Sequence, residues 1–305
     1  MRFTIFQESR QGGRSNNEDR TTYCYSRDAL LMVVADGMGG HHHGEVAAQL
    51  AVQTLTSAFQ REARPALADP FRFLQKAFLN AHHAVLDYAD LHRLTDAPRS
   101  TCVACVIQDN VAYWAHVGDS RLYVLRKGRV IAQTKDHSRI RILLEEGLIN
   151  EVQARTHPDR NKIYSCLGSP TTPEIDFSRK MPLEHGDVLM LCSDGLWGHV
   201  SPEALASALN GTNLLQVVPM LLDDAERKGG SHADNLSVVA VRWEDNYLDP
   251  GSSIISTQMM SVGEVTTRLD EFGRNPAYKS DLSDAEIEAA IEEIRATIEK
   301  FNPRK

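Results

Sequence analysis

The chain alternates between short, continuous apolar runs and longer amphipathic stretches, and the two patterns predict different elements. Apolar runs of strand length, bounded by Gly and polar residues, occur at 2–7, 21–26, 30–35, 101–108, 111–117, 121–126, 129–133, 187–192 and 236–243. Such runs predict buried strands. Gln108-Asp109-Asn110 and Arg126-Lys127-Gly128 are short polar links that favour antiparallel hairpins. Helical spacing governs 44–63, where Val46, Leu50, Thr54 or Leu55, and Ala58 or Phe59 share a face. It also governs 70–90, with Leu74, Phe78, Ala81, Val85 and Tyr88. Two more helices are predicted at 201–209, opened by Ser201-Pro202, and at 214–228. Hairpin strands with helices grouped between them predict an α+β layered fold rather than a parallel βαβ one.

The polar positions that end these runs carry the chemistry. LLMVVADGMGG (30–40), AYWAHVGDSR (112–121) and DVLMLCSDGLW (187–197) each close an apolar run with an Asp beside a Gly. Asp234 stands immediately before the run of SHADNLSVVAVRW (231–243). A single Asp-Gly is an ordinary turn. A carboxylate at the lip of a buried strand is costly to desolvate without a partner. Asp36, Asp119, Asp194 and Asp234, flanked by glycines instead of Lys or Arg, point to a shared partner. Oxygen ligands of this kind suit hard divalent cations.

Composition narrows the picture. The 305 residues are 42% hydrophobic, enough for one large core or two modest ones. The formal net charge is −8; residues 244–305 hold 13 acids against 7 bases, a net of −6, which leaves −2 for residues 1–243. A near-neutral body offers no electrostatic footprint for nucleic acid. No stretch reaches the ~18 apolar residues of a membrane helix, and no secretory signal is visible in MRFTIFQESR. A cytoplasmic protein without membrane association is expected. Cys102 and Cys105 form a C-x-x-C, but residues three apart in a strand point to opposite faces and no second pair completes a zinc site. With Cys24, Cys166 and Cys192 they read as core thiols. His41, His42 and His43 read as an exposed polar loop rather than as ligands. Residues 137–168 form a flap-like excursion with a basic cluster: Arg139, Arg141, Arg155, Arg160 and Lys162. A solvated helix face and a functional patch both fit that cluster.

Taken in order, six motifs assemble into a known pattern. They are Arg14-Ser-Asn-Asn-Glu18-Asp19, VVADGMGGHHHGE, GDSR at 118–121, DHS at 136–138, CSDGLW at 192–197, and Asp234-Asn235. Together they closely resemble the metal-dependent protein phosphatases of type 2C in their compact bacterial form, over residues 3–243. The resemblance implies a four-layer α-β-β-α sandwich, two antiparallel sheets flanked by helix pairs, in agreement with the α+β pattern above. It implies a protein serine/threonine phosphatase that hydrolyses phosphoserine and phosphothreonine by attack of a metal-bound hydroxide and opposes a bacterial Ser/Thr kinase.

The same resemblance assigns roles. Asp36 bridges two Mn2+ or Mg2+ ions, the Gly37 carbonyl binds one of them, and Asp194 and Asp234 complete the other site. Asp119 holds a third ion and shares Asp194 with it. Glu18 and Asp19 act nearby, directly or through water, with Asn235 supporting them, and Arg14 clamps the substrate phosphate. Carboxylates, a carbonyl and water are what these ions prefer, and the planar Arg fork suits a phosphate. The chain departs from some members, mainly eukaryotic, at Met38, where they carry a His proposed as general acid. A thioether donates no proton, so the leaving group must be protonated by a bound water or another residue, such as His41. An inactive relative would have lost metal ligands, whereas all four strand-end acids are present here. An unrelated metal hydrolase acting on small phosphoesters would recruit His ligands.

Beyond residue 243 the resemblance stops. Residues 245–280 read as a linker or irregular wrap, and 283–301 as a helix. Ser283 and Glu286 make a capping box, with Leu282 and Ile287 as a hydrophobic staple. Ile287, Ile291, Ile294 and Ile298 fall on one stripe. The expected organisation is a phosphatase domain at 1–243 and an acidic extension at 244–305. Its stripe packs on the body or docks a partner, giving a monomer or a tail-mediated dimer.

Overall fold

The central strands are apolar on both faces because each face meets a different layer. The computed structural model describes residues 1–38, 43–160, 162–245 and 256–257. In β3 (Ala29–Ala35), Leu31 and Val33 pack in the cluster formed with helices α1 (Gly44–Glu62) and α2 (Pro70–Leu91), while Leu30, Met32 and Val34 pack between the sheets. After β1 (Phe3–Arg10), β2 (Arg20–Tyr25) and β3, strand β4 (Cys102–Gln108) repeats the division. Its Cys102, Ala104 and Val106 face the helices; Val103, Cys105 and Ile107 face the opposite sheet. The C-x-x-C thiols therefore lie on opposite faces, and all five cysteines are free. This period-two split is why the runs read as continuous rather than alternating.

The chain continues through β5 (Val111–Val117), β6 (Arg121–Arg126), β7 (Arg129–Gln133), α3 (Arg139–Glu145) and α4 (Glu151–Thr156). After β8 (Asp176–Phe177) and β9 (Met181–Pro182) come β10 (Val188–Cys192), α5 (Asp194–Trp197), α6 (Pro202–Ala208) and α7 (Leu214–Gly229). Strands β11 (Leu236–Trp243) and β12 (Ser256–Thr257) follow. One sheet runs β12-β1-β11-β10-β6-β7 and the other β2-β3-β4-β5-β8, with β9 also on β5. In β10 and β11, Met190, Cys192, Val238 and Ala240 face α5–α7, while Leu189, Leu191, Val239 and Val241 meet the other sheet. The layers are thus α-β-β-α, as expected.

Some details depart from the sequence reading. The β12 residues pair with β1 in parallel, Thr4 opposite Ser256 and Ile5 opposite Thr257, so one sheet is not wholly antiparallel. The buried face of α1 includes Ala48, Ala51, Val52, Leu55 and Phe59, while Leu50 is only half-buried; small residues let the helix approach β3 closely. Helix α2 starts where predicted because Asp69 caps it, accepting from the Phe71 and Arg72 N–H groups at 3.0 and 3.1 Å, with Pro70 at the first position. No helix among the described residues is long and apolar enough to cross a membrane. The helix expected over 283–301 lies outside the described residues.

Candidate metal centre

The site is built where strand ends of both sheets meet. The alternation that sends Leu30, Met32 and Val34 between the sheets reaches Asp36 at the exit of β3. Its backbone is clamped: Asp36 N–H donates to Thr101 Oγ1 (3.2 Å), and its carbonyl accepts from Thr101 N–H (2.8 Å) and Ser100 Oγ (2.9 Å). Thr101 Oγ1 also bonds Ser120 Oγ at 2.7 Å, which ties this turn to the one that carries Asp119. Gly37 allows a close approach no other residue permits, since a Cβ there would sit 2.4 Å from the Gly44 backbone and 2.8 Å from the Glu18 carbonyl. The start of α1 therefore packs directly on the turn after Asp36.

The loop after β1 is stapled to the start of β11 by the buried side chain of Asn235. Its Oδ1 accepts from Glu18 N–H (2.8 Å), and its Nδ2 donates to the carbonyls of Gln11 (2.8 Å) and Asn16 (2.9 Å). This places Glu18 and Asp19 against Asp36, and Arg14 against Asp234, whose Oδ2 accepts from Arg14 Nη2 at 2.7 Å. Asp19 is 1% exposed. One of its oxygens accepts from Ser193 Oγ at 2.7 Å, while the other is buried without a partner. Asp194 opens α5 directly after Ser193. Gly195 lets this turn press on β11's approach, because a Cβ there would lie 2.1 Å from the Asn235 carbonyl. Asp119 is 7% exposed, and its carbonyl accepts from Trp197 Nε1 at 2.9 Å.

The electrostatics follow from this crowding. Burial, then the charges of Asp19, Asp194, Asp119 and Asp234, hold Asp36 well above the usual carboxylate range. Asp194 is likewise raised, by burial first and then by Asp119, Asp234 and Asp19. Burial pushes Asp19 up to about 6 and Asp119 up to about 7, the latter helped by the charge of Asp136. Glu18 is raised by burial and by Glu45 of α1. The Arg14 guanidinium opposes the rise of Asp194 and Arg121 that of Asp119, but Arg14 is already paired with Asp234 and Arg121 with Asp136. A set of converging oxygen acids, one with an orphaned buried oxygen, fits a divalent cation and fits little else.

Other sequence-level features sort differently. The basic residues of the flap-like segment are mostly satisfied locally: Arg139 and Lys162 on Asp159, and Arg141 on Glu145. That agrees with a solvated face. His43 opens α1 and its ring lies 3.8 Å from Glu45; His41, the suggested proton donor, lies outside the described residues. His116, His137 and Asp176 form a further cluster, with ligand atoms within 4.8 Å of one another. The backbone fixes both imidazole tautomers. His116 Nε2 must donate to the Lys135 carbonyl at 2.6 Å, leaving Nδ1 a bare lone pair. Gly118 N–H donates to His137 Nδ1 at 3.3 Å, so His137 keeps its proton on Nε2, 3.5 Å from Asp176. Both atoms, His116 Nδ1 and His137 Nε2, are buried without a hydrogen-bond partner, and one lone pair beside one N–H is not a cage for a cation.

Sequence reasoning missed Ser193, Thr101, Ser120 and Trp197. The signal for Ser193 was its position between the apolar run of β10 and Asp194, where a hydroxyl at a buried strand end needs a partner.

The chain is similar to known proteins in sequence and in fold. Residues 7–219 match the family described as protein phosphatase 2C. A serine/threonine phosphatase, Stp, of Listeria innocua is 31% identical over 249 residues, 81% of this chain and 97% of that protein. The PstP phosphatase of Mycobacterium tuberculosis is 34% identical over 227 residues, 74% of this chain and 42% of that protein. The solved serine/threonine phosphatase of S. agalactiae superposes with a TM-score of 0.72 at 28% identity, covering 79% of this chain and all of that one. The PstP catalytic domain, solved in complex with 2 manganese ions, gives a TM-score of 0.68 at 31% identity, over 80% and 99% of the two chains. The chain belongs to the protein phosphatase 2C family and is a protein serine/threonine phosphatase of that type.

Proposed function

We propose that this phosphatase works through Mn2+ or Mg2+ held by Asp36, the Gly37 carbonyl, Asp194 and Asp234, with Asp119 and Asp194 sharing a further ion. The observation that carries the reading is the convergence of Asp19, Asp119, Asp194 and Asp234 on Asp36, with Asp19 Oδ1 buried and unpartnered. Such a cluster is costly as bare carboxylates and is relieved by positive charge. When bound, these ions acidify a water nucleophile and neutralise the phosphoryl oxygens.

The chain's own residues do the rest. Asn235 holds the loop that carries Arg14, Glu18 and Asp19. Arg14 spends one donor on Asp234, and its remaining guanidinium donors are free to orient a phosphate. A cysteine nucleophile is disfavoured, since burial raises the thiols of Cys24, Cys102, Cys105, Cys166 and Cys192. Water therefore attacks phosphorus in line, and the Ser or Thr oxygen leaves. Met38 donates no proton, so that oxygen would be protonated by water or by another residue.

The substrates in this reading are phosphoserine and phosphothreonine proteins, among them a cognate Ser/Thr kinase and its targets. Five unpaired cysteines support a reducing, cytoplasmic setting. Every proposed site residue lies between Arg14 and Asn235, which supports a catalytic body at 1–243 and an extension at 244–305 outside the chemistry. Phosphate release from a phosphothreonine peptide tests the reading. Turnover should require added Mn2+ or Mg2+ and vanish in EDTA; metal-independent turnover contradicts it.

A further inference from the structure

We propose that Trp197, Arg121 and Asp136 form a positioning unit that fixes the separation of Asp119 and Asp194, and so governs how tightly that pair holds its shared cation. The proposal rests on the reading that these two acids share an ion.

The two acids come from different turns, and nothing in the covalent chain sets the distance between them. Trp197 does. It ends the same four-residue helix that Asp194 opens, and Gly198 N–H closes that turn on the Asp194 carbonyl at 2.8 Å. Indole offers one donor and no acceptor, and it is spent on the Asp119 carbonyl at 2.9 Å. The edge of Trp197 thus grips the backbone of one acid while its own helix carries the other.

The indole cannot rotate freely, because its face is covered. The guanidinium carbon of Arg121 stands 3.6 Å from the Trp197 ring centroid, a cation–π contact. Arg121 lies two residues beyond Asp119, so Trp197 touches the 118–121 turn at its edge and at its face. Asp136 fixes the guanidinium plane with two parallel bonds, Nε at 2.8 Å and Nη2 at 2.7 Å, and Arg121 Nη1 reaches Tyr123 Oη at 3.1 Å. A bidentate pair sets a plane as well as a distance, which an apolar filler would not.

The unit also joins the site to the excursion at 137–168. His137, next to Asp136, donates its N–H to the Gly118 carbonyl at 2.9 Å, and its own carbonyl accepts from Tyr164 N–H at 2.9 Å. The root of that segment therefore sits on the residue preceding Asp119.

Trp197→Phe isolates the effect. It removes the N–H donor and keeps a ring under Arg121. The assay is an Mn2+ titration of the metal-free full-length protein, following free Mn2+ by electron paramagnetic resonance, with turnover of a small aryl phosphate measured over the same range. The weakest binding event should weaken about three- to tenfold, the range that loss of one neutral hydrogen bond gives, with the tighter events unchanged. Turnover should return towards wild type at saturating Mn2+. A general loss of structure would weaken every event and would not be rescued by more metal; that result, or binding identical to wild type, overturns the proposal. Should Trp197→Phe not fold, Arg121→Lys, which keeps the charge and loses the fork, must show the same selective weakening. Asp119→Ala in the same titration removes the weakest event; if it removes none, the shared-ion reading itself fails, whatever Trp197→Phe shows.

Discussion

Asn235→Ala tests how the acids are assembled. The side chain is buried, with 6% exposure, and satisfies three backbone groups: the Glu18 N–H and the carbonyls of Gln11 and Asn16. Truncation leaves each without its partner, at about 1–3 kcal/mol for a group that stays buried. Loop residues Gln11 and Asn16 are exposed, so water recovers part of the loss and the net cost should be about 2–5 kcal/mol. For a body of this size about 3 kcal/mol corresponds to a fall in melting temperature of roughly 6–12 °C. The same change frees the segment that presents Arg14, Glu18 and Asp19, so Mn2+ activation should shift to higher concentration. Asn235→Asp keeps the acceptor for Glu18 but loses both donors and adds a negative charge to a crowded anionic site, so its metal-free form should be less stable than Asn235→Ala. Thermal melts in EDTA and in Mn2+, with activation curves for both variants, read this out. A melt within about 1 kcal/mol of wild type for Asn235→Ala, with unshifted activation, would show that the loop is held by something else.

Other outcomes follow from the same geometry. Asp19 and Asp119 are raised to about 6 and about 7, so the folded chain keeps protons that the unfolded chain releases near pH 4. Metal-free stability should therefore fall as pH rises through about 4 to 7. Melts in EDTA at about pH 5.5 and 8 should show the lower midpoint at the higher pH, and Mn2+ should reverse the order; a flat profile contradicts the shared burial of these acids. Asp119→Ala should retain two bound ions yet lose most phosphatase activity, and metal counting that finds an empty site would make Asp119 a core ligand. Ending the chain after Trp243 strips the two-residue β12 and the acidic extension but no proposed ligand, so hydrolysis of a small aryl phosphate should be nearly unchanged. Loss of that activity at an unchanged melting temperature would give the extension a part in the site.

Much of this was legible in the sequence, for a physical reason. Strands buried on both faces need apolar residues at every position, so β3, β4, β10 and β11 stand out as runs. A carboxylate ending such a run has no cheap explanation, and Asp36, Asp119, Asp194 and Asp234 do converge. The local pattern cannot say which distant residue answers a given hydrogen-bonding need. Ser193 on Asp19, Trp197 on the Asp119 carbonyl, and Asp136 under Arg121 are pairings across 174, 78 and 15 positions of chain, invisible to any short-range period. The two-residue β8, β9 and β12 are too short to carry alternation at all. Arg14 on Asp234 was also unforeseen, because the motif that supplied Arg14 suggested a phosphate rather than a carboxylate. The flap cations show the reverse limit: a basic cluster in sequence becomes a set of local ion pairs once Asp159 and Glu145 are placed among them.

Asp36→Asn tests the central claim most directly, because it removes the charge on which the other acids converge while keeping the shape of the side chain. The measurement is Mn2+-dependent phosphate release from a phosphothreonine peptide, beside a thermal melt of the same protein in EDTA. Turnover should fall by more than about 100-fold, beyond the loss seen when only the surroundings of a metal ligand are altered. The metal-free melting temperature should hold or rise, since a buried carboxylate crowded by like charges has been neutralised. An Asp36→Asn protein that keeps its turnover, or that loses it only by unfolding in EDTA, contradicts a metal centre built on Asp36.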